Sequence, residues 1–434
     1  MTATRSADTQ SSGATCPFLR VNRYEDAVRF DRHRAILNAA EMFAGVGDDP
    51  VNGEINVREF LDGSVVFLNG AEHRERRKLL NTLLRPDALH AIREDVILPA
   101  ARRLLAARLE HADDDGIYRM DLVDFCHRVF LHFTAKLVGL VGVDTDEGIS
   151  QLSQCAGPLA AGASSQFLED RTAINEMALA AKRRYVEEFY RPSRRAYEEL
   201  LARVERGELS RDELPVHIMS FIVAGDDIGY PAEETSIIET TMMFAASVGT
   251  STQAVIQTID LLGDWWAEHP EDRALATDET FLLNALCETI RLRAPFSPYN
   301  TRMAAEDCEV AGQAVKKGQE IHIERVAANR DTAVFGADAG AFNPHRPNPG
   351  LDQQRYGLGF GSGPHQCFGL RVVLGIDGSG GAHVSLLRYL FEAGVAPDPD
   401  LEPVDLKKDM DKFSIENIPR YIHYPVIFAN PASA

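Results

Sequence analysis

The sequence is poor in cysteine, lacks any long apolar run and has too few cations to balance its acids. The six cysteines are scattered and show no paired metal-ligand spacing, which indicates a reducing compartment such as a bacterial cytoplasm. They are Cys16, Cys126, Cys155, Cys287, Cys308 and Cys367. No apolar run approaches the roughly 20 residues that span a bilayer. We therefore predict a cytoplasmic protein without membrane insertion.

The shortage of positive charge argues against a second group of functions. The chain carries 45 Lys and Arg residues against 65 Asp and Glu residues, which gives a formal net charge of −20. Such acidity argues against nucleic-acid binding and against adsorption to anionic membranes. A local basic patch is still compatible with it, and Arg74, Arg76, Arg77 and Lys78 form one cationic cluster in the sequence.

The remaining composition is that of a globular protein. The 434 residues are 45% hydrophobic and 25% charged, which is enough apolar material for a large core. Met1 to Thr15 is rich in Ser, Thr and Ala and has no apolar signal region. We predict that residues 1–15 form a disordered tail and that residues 16–434 form a single domain without internal repeats.

Most of the chain has helical periodicity, so the predicted fold class is mainly α with a minor β region. The clearest helical stretches are Ile97 to Glu110, Met177 to Arg206 and Ser236 to Trp266. Strand-like segments are few and late, at Cys308 to Val310, Glu320 to Glu324 and Arg420 to Phe428. Asp331 to Gly363 is dense in Gly, Pro, Asn and Asp, which predicts a long ordered coil, and coils of that length are often functional.

The most informative segment is Phe360-Gly-Ser-Gly-Pro-His-Gln-Cys-Phe-Gly369. A lone thiolate ligand needs its charge stabilised, and backbone N–H groups do this when the chain curls around the sulfur. Glycines permit the curl and let a flat ring approach the backbone. A single cysteine is more often a buried core residue. However, Phe, three Gly and Cys at these offsets should occur by chance in on the order of one such chain in ten thousand.

This decapeptide resembles the heme-binding loop of the cytochrome P450 family at every position. The resemblance implies the fold of that family, with heme b buried between a distal helix and the cysteine loop. Cys367 is then the iron ligand, and Phe360, Gly361 and Gly369 shape the loop around it. A thiolate ligand favours cleavage of the O–O bond, so the resemblance also implies an oxidising enzyme.

Further motifs of the family occur in the expected order. Glu288 and Arg291 stand at i,i+3 of a helix, and the resemblance pairs them with Arg346 from the coil as a structural brace for the loop. His73 and Arg77 lie four residues apart and so share a helix face. With Arg302 and His365, they are the implied partners of the two heme propionates.

The distal helix departs from the family pattern. The family places an acid and then a Thr in this helix, but Phe244 to Gln253 contains no acid. One alignment register places Gly249 at the family's acid position and Thr250 at its Thr position. The other register places Ser251 and Thr252 at these two positions. Aligning the amides of Gln253 and Gln257 with the family favours the first register. In either one, protons must come from water, a hydroxyl or the substrate, or the oxidant must arrive as peroxide.

The substrate side is less defined. By position, the predicted pocket walls are Phe244, Ala245, Pro295, Phe296, Ser297, Pro298 and Phe413. Gly157 to Arg171 is a predicted lid. After the ligand, Leu370 to Leu390 contains an unusual number of glycines for a helix, which indicates either close packing on the heme or a break.

The leading functional hypothesis is a monooxygenase of a small hydrophobic substrate. Electrons from NAD(P)H would reach it through a ferredoxin or flavodoxin, and O₂ would be the oxidant. The partner would dock on Arg74, Arg76, Lys78 and Arg371 near the proximal face. The first alternative is a peroxide-dependent peroxygenase or hydroperoxide-rearranging enzyme, favoured by the missing acid. The second is a heme-binding sensor without turnover.

Overall fold

The structure is a computed structural model. It describes residues 18–38, 57–110, 112–113, 116–165, 172–224, 230, 232–295, 299–348, 350, 354–376, 379–406 and 418–428. The tail predicted for residues 1–15 lies outside these ranges. In the part of the chain that the structure describes, no helix is both long enough and apolar enough to cross a bilayer.

Helices make up most of the described chain, as the periodicity predicted. The α-helices are α1 Tyr24–Arg32, α2 Gly70–Asn81, α3 Pro86–Ala91, α4 Leu98–Arg108, α5 Leu122–Val138, α6 Asp146–Ser164, α7 Thr172–Tyr185, α8 Arg191–Glu205, α9 Ile218–Ala224, α10 Glu233–Glu268, α11 Glu279–Arg293, α12 Arg325–Ala328, α13 Thr332–Phe335, α14 Leu370–Leu374 and α15 Ala382–Glu392. Short 3₁₀ turns include Val57–Phe60 and Gly363–His365, and π-helical turns at Ile92–Ile97 and Val186–Tyr190 lead into α4 and α8.

The strands form one four-stranded sheet and smaller units. They are β1 Leu19–Val21, β2 Ile36–Leu37, β3 Tyr118–Asp121, β4 Asn300–Ala304, β5 Cys308–Val310, β6 Gln313–Val315, β7 Glu320–Ile323, β8 Gly375–Ile376, β9 Ser379–Gly380, β10 Val395–Pro397, β11 Val404–Asp405, β12 Tyr421–His423 and β13 Pro425–Phe428. The largest sheet has the order β1-β7-β4-β2, and a second has the order β10-β13-β3. The strands predicted at 308–310, 320–324 and 420–428 are confirmed as β5, β7 and the pair β12 and β13.

The long helix α10 is the central element of the core. It packs against α5, α6 and α11, and almost every residue from Ser251 to Ile259 is buried. A helix that is buried on most of its sides needs neighbours that cover it, and each fully buried large apolar side chain contributes about 1.5–3 kcal/mol. Acidic Glu233 and Glu234 occupy its first turn, where the helix dipole favours negative charge. Pro270 follows its end and begins a 3₁₀ turn.

Helix α11 ends in a conformation that redirects the chain toward the large sheet. Its N-terminus is capped by the Asp278 side chain, which accepts from the N–H of Phe281 at 2.8 Å. At its C-terminus, Ala294 has φ +39°, in the left-handed region that favours glycine. Pro295 follows and prevents a further helical turn. The chain then enters β4, which carries Arg302 into the site described below.

The glycine-rich stretch after Cys367 is a break, one of the two alternatives that the sequence left open. Helix α14 stops at Leu374, a hairpin of β8 and β9 follows, and α15 begins at Ala382. Gly375 has φ +84°, and a Cβ added at Gly381 would lie 2.1 Å from the carbonyl oxygen of Val373. Glycine is therefore required on both sides of the hairpin.

Candidate functional site

The Cys367 loop connects the long coil to α14. The N–H of Cys367 donates to the carbonyl of Phe360 at 2.8 Å, which closes the loop. Gly361 and Gly363 both have φ +68°, and a Cβ on Gly363 would lie 2.7 Å from the carbonyl oxygen of Asp31. Gly363 therefore has to be glycine both for its backbone conformation and for its contact with α1.

The surroundings of the Cys367 thiol act on its pKa in two opposite directions. Cys367 is exposed, whereas Cys308 is half-buried and Cys126, Cys155 and Cys287 are buried. Desolvation by the surrounding protein raises the pKa of the Cys367 thiol. The backbone N–H groups of Gly369 and Leu370 and the guanidinium of Arg77 act in the opposite direction. Metal binding displaces the thiol proton, so these groups would stabilise the resulting thiolate.

Two histidines from the predicted propionate set lie in contact beside the loop. The rings of His73 on α2 and His365 in the loop are 4.1 Å apart. Burial lowers the pKa of both, and that of His365 falls to about 3. Both imidazoles are therefore neutral at pH 7 and offer N–H donors without charge.

The two arginines of the predicted set are anchored at different points on the loop. Arg77 on α2 donates from Nη2 to the carbonyl of Gln366 at 2.7 Å. Arg302 on β4 is 7% exposed and donates from Nη2 to Asp31 at 3.0 Å. Asp31 also accepts from the N–H and the hydroxyl of Ser362, at 3.2 and 3.1 Å. Asp31 of α1 thus ties Arg302 to the loop, and nothing in the sequence marked it.

The buried charges near the loop do not cancel. Arg325, at the start of α12, is 4% exposed and donates from Nη1 to the carbonyl of Gly359 at 3.3 Å. The carboxylate of Asp31 faces both Arg302 and Arg325. Excess buried positive charge is costly unless an anion accompanies it. A heme with two carboxylates and an iron that takes a thiolate fits this set of residues.

The predicted brace is assembled as one buried ion cluster. Glu288 accepts from Nε and Nη2 of Arg291 at 2.8 and 2.7 Å, and from Nε of Arg346 at 2.8 Å. Arg291 also donates to the carbonyls of Asn329 and Ala339. The amide of Asn329 accepts from the N–H of Leu358 at 2.6 Å. The sequence reasoning missed Asn329, which transmits the position of the brace to the start of the loop.

On the distal helix, the residues that the two registers assign to the acid and Thr positions differ in their exposure to solvent. Ala246 and Gly249 are exposed and Thr250 is half-buried, although they lie in the middle of a helix whose other faces are covered. The hydroxyl of Thr250 donates to the carbonyl of Ala246 at 2.6 Å. Ser251 and Thr252 are 8% and 2% exposed. An accessible strip of small residues therefore contains Gly249 and Thr250, which favours the first register.

The amides after this strip hold the C-terminal strands. Gln253 donates to the carbonyl of Tyr421 at 2.7 Å and accepts from its N–H at 3.0 Å. Gln257 donates to the carbonyl of Pro419 at 2.7 Å. These two side chains form hydrogen bonds with the backbone at and just before β12, so β12 is fixed to the middle of α10.

Two predictions from the sequence are wrong. Phe244 does not line an accessible pocket: it is 1% exposed and packs edge-on against Tyr185 in the core. Arg76 does not belong to a surface patch, because it is 1% exposed and donates to the buried Glu239 at 3.0 Å. Its position three residues after His73 places it on the covered face of α2.

The other predicted substrate residues are only partly described. Ala245 is half-buried and packs against a small cluster with Phe60, and Pro295 is buried at the end of α11. Phe296, Ser297, Pro298 and Phe413 lie outside the described residues, as does the second half of the predicted lid from 166 to 171. Its first half, from Gly157, belongs to α6.

Comparison with known proteins gives matches to one family. The family model of cytochrome P450 matches residues 277–373, which contain the brace and the cysteine loop. The plant-inducible cytochrome P450-pinF1 of Rhizobium radiobacter is 24% identical over 81% of this chain and 76% of that protein. The steroid C26-monooxygenase of Mycolicibacterium smegmatis is 25% identical over 86% and 76%, respectively. Other relatives with 29–35% identity align over only 26–34% of their own length.

Solved structures show the same fold. P450BioI, crystallised with an acyl carrier protein that carries hexadec-9Z-enoic acid, superposes with a TM-score of 0.65 at 18% identity. The superposition covers 94% of this chain and 91% of that one.

Proposed function

We propose that this chain, a member of the cytochrome P450 family, inserts one oxygen atom of O₂ into a small hydrophobic molecule. The observation that carries this proposal is the accessible Cys367 thiol in a glycine-rich loop that Arg77 contacts through the carbonyl of Gln366. When bound, a heme with a thiolate ligand supplies the centre for oxygen activation, because the thiolate favours O–O cleavage.

The residues of the chain would hold this cofactor from two sides. The N–H groups of Gly369 and Leu370 would stabilise the charge on Sγ of Cys367. Arg77 and Arg302 would bind the carboxylates as charge-assisted donors, and His73 and His365 would add neutral N–H donors. Glu288, Arg291 and Arg346 do not touch the cofactor in this proposal: they keep the coil in place behind the loop.

Thr250 would organise water on the distal side. Its hydroxyl donates to the Ala246 carbonyl, which leaves its lone pairs to accept a hydrogen bond from a water molecule beside Gly249. The helix has no acid between Phe244 and Ile259. Protons would therefore move through water and this hydroxyl, since no carboxylate of that segment can deliver them.

The electrons would come from NAD(P)H through an acidic ferredoxin or flavodoxin. Arg74, Lys78 and Arg371 are exposed, and a groove of about 270 Å³ lies beside Arg371. The described residues that line it include His90, Arg371 and Arg93, of which Arg93 is paired with Glu94 at 2.8 Å, within a chain of net charge −20. Local positive potential of this kind steers an acidic partner to one face.

A second candidate function is peroxide-driven oxygenation. The missing acid favours it, because hydrogen peroxide brings both the oxygen atoms and the protons that the distal helix does not supply. The same site would then work without an electron donor.

One experiment compares the two oxidant supplies on a panel of steroids, terpenoids, fatty acids and aromatic compounds. One arm contains a ferredoxin, its reductase and NADPH, and the other contains hydrogen peroxide alone. Oxygenated products in the first arm support the monooxygenase, and products mainly in the second support the peroxide user. Absence of products in both arms, or an unchanged CO-difference spectrum in Cys367→Ser, would overturn the proposal.

A further inference from the structure

We propose that Arg325 is a third guanidinium that binds a carboxylate of the heme, in addition to Arg77 and Arg302. This inference rests on the proposed function only in that the chain binds heme through Cys367. Arg325 lies outside every motif that the sequence reasoning used, and a lone Arg is most often a surface residue.

The position of Arg325 follows from the large sheet. Strand β7 ends at Ile323 and pairs with β4, where Arg302 lies opposite Ile321. The chain then turns into α12, so that Arg325 enters the same interior region as Arg302. Its neighbour Glu324 is paired with Arg20.

Three guanidiniums are thereby distributed around the cysteine loop. Arg325 donates to Gly359 before the ligand, and Arg77 donates to Gln366 next to it. Arg302 reaches the loop between them, through Asp31 and Ser362. Each cation is thus fixed at a different point of the loop that would surround one edge of the cofactor.

The charges of this group call for an anion. Among the described groups that these contacts bring together, Arg77, Arg302 and Arg325 carry three positive charges and Asp31 carries one negative charge. Burial lowers the pKa of Arg325 to about 10, and Arg302 acts in the same direction, although Asp31 opposes it. At that pKa the side chain is still charged at pH 7. The two heme carboxylates carry the charge that would balance the group.

The test measures heme retention, not turnover. Arg325→Met removes the charge, Arg325→Lys keeps it, and Arg330→Met is the matched control. Arg330 lies just beyond α12 and donates to the carbonyls of Val326 and Leu292, at 3.1 and 3.0 Å. The rate of heme transfer to excess apomyoglobin is followed by absorbance for each holoprotein. Urea unfolding of the heme-free proteins is the second readout.

We expect Arg325→Met to lose heme about tenfold faster or more, and Arg325→Lys to stay near the wild-type rate. Arg330→Met should also stay near that rate. Heme-free Arg325→Met should be no less stable than the wild type, because it loses an excess buried charge. If Arg325→Met does not fold, Arg325→Gln, which can still donate to Gly359, replaces it.

Two results would overturn the inference. In one, Arg325→Met retains heme like the wild type; in the other, Arg330→Met accelerates heme loss equally, which would mean a merely structural role. Both results require that the wild type shows the CO-difference band of a thiolate-ligated heme. If the wild type shows no such band, the proposed function itself fails, so the two failures are distinguishable.

Discussion

Thr250 and Thr252 are two residues apart on α10 but have different surroundings. Thr250 is half-buried next to the exposed Gly249, and its hydroxyl has a backbone acceptor. Thr252 is 2% exposed, and its hydroxyl oxygen has no hydrogen-bond partner among the residues that the structure describes. A buried unsatisfied hydroxyl costs about 1–3 kcal/mol. Thr252 therefore weakens the core, whereas Thr250 would hold water in the proposed function.

Single substitutions separate these two roles. Thr252→Val keeps the shape and removes the unsatisfied oxygen, so we expect the free energy of unfolding to rise by about 1 kcal/mol with unchanged turnover. Thr250→Val should lower turnover driven by the electron chain about tenfold or more, since proton transfer loses its hydroxyl. Thr250→Ser is the control and should keep most of the activity. Urea unfolding and product formation measure the two effects. The opposite pattern, with Thr252→Val inactive, would select the second register.

Residues in fixed-spacing motifs were predictable from the sequence, and isolated ones were not. Glu288, Arg291 and Cys367 could be named because their neighbours at known offsets carry information. Asp31 accepts a hydrogen bond from Ser362, which is 331 residues away, and Arg325 is distinguished from other arginines by its burial. Neither long-range contact nor burial can be inferred from a single charged residue. Arg76 was misassigned for the same reason, because its partner Glu239 is 163 residues away.

At the level of elements, the tie between α2 and α10 is a fully buried ion pair. Arg76 donates to Oε2 of Glu239 at 3.0 Å and lies 4.0 Å from the centre of the Tyr230 ring. Glu239 also accepts from the N–H of Val65 at 3.0 Å. Burial raises the pKa of Glu239 to about 7, although Arg76 acts in the opposite direction. Within the described part of the chain, Nε and Nη2 of Arg76 and Oε1 of Glu239 have no hydrogen-bond partner.

This pair should be costly to break singly and easy to replace as a whole. Arg76→Met leaves a buried carboxylate unpaired, so we expect a loss of about 3–5 kcal/mol in the free energy of unfolding. The double variant Arg76→Met, Glu239→Leu should recover most of that loss. Arg388→Met is the control: it breaks a half-exposed pair with Glu279 at 2.8 Å and should cost about 1 kcal/mol or less. Urea unfolding gives all three values. A double variant as unstable as Arg76→Met would show that the ion pair itself stabilises the fold.

The hairpin after α14 shows why secondary-structure elements can be predicted only in part from the sequence. Glycine content indicated an interruption, because a helix tolerates few glycines. The pairing of Gly375 with Gly380 and of Ile376 with Ser379 depends on a turn that no propensity specifies. Its fit also depends on the contact between Gly381 and Val373, which exists only after α14 and α15 have packed.

At the level of the whole molecule, the order of elements was predictable and their pairing was not. Helical periodicity identified α4, α7, α8 and α10 because their patterns are long. The large sheet joins β1 to β7 in parallel, with Leu19 opposite Ile321. Such a pairing closes a loop of about 300 residues, and short strands carry no signal for a partner at that distance. The pattern of the strands predicted a small β region, and it contained no information on this pairing.

The net charge of the whole chain and the local charge of a few exposed cations would have opposite effects on an acidic electron donor. The salt dependence of the electron-transfer rate distinguishes the two effects. The net charge of −20 would repel an acidic donor, whereas the exposed Arg74, Lys78 and Arg371 would attract it at contact in the proposed function. If these residues form the docking face, the second-order rate constant for reduction by an acidic [2Fe–2S] ferredoxin falls as ionic strength rises, because salt screens the local attraction. Stopped-flow reduction of the ferric protein measures it.

Reversal of one cation tests the same face directly. Arg371→Glu should lower the low-salt rate constant about tenfold and flatten its salt dependence. Arg195→Glu on α8 changes the net charge equally at an exposed position, so its rate constant should stay close to that of the wild type. A wild-type rate constant that rises with salt would mean that the overall charge dominates the encounter. In that case the donor docks elsewhere, or peroxide supplies the oxidant and no donor is needed.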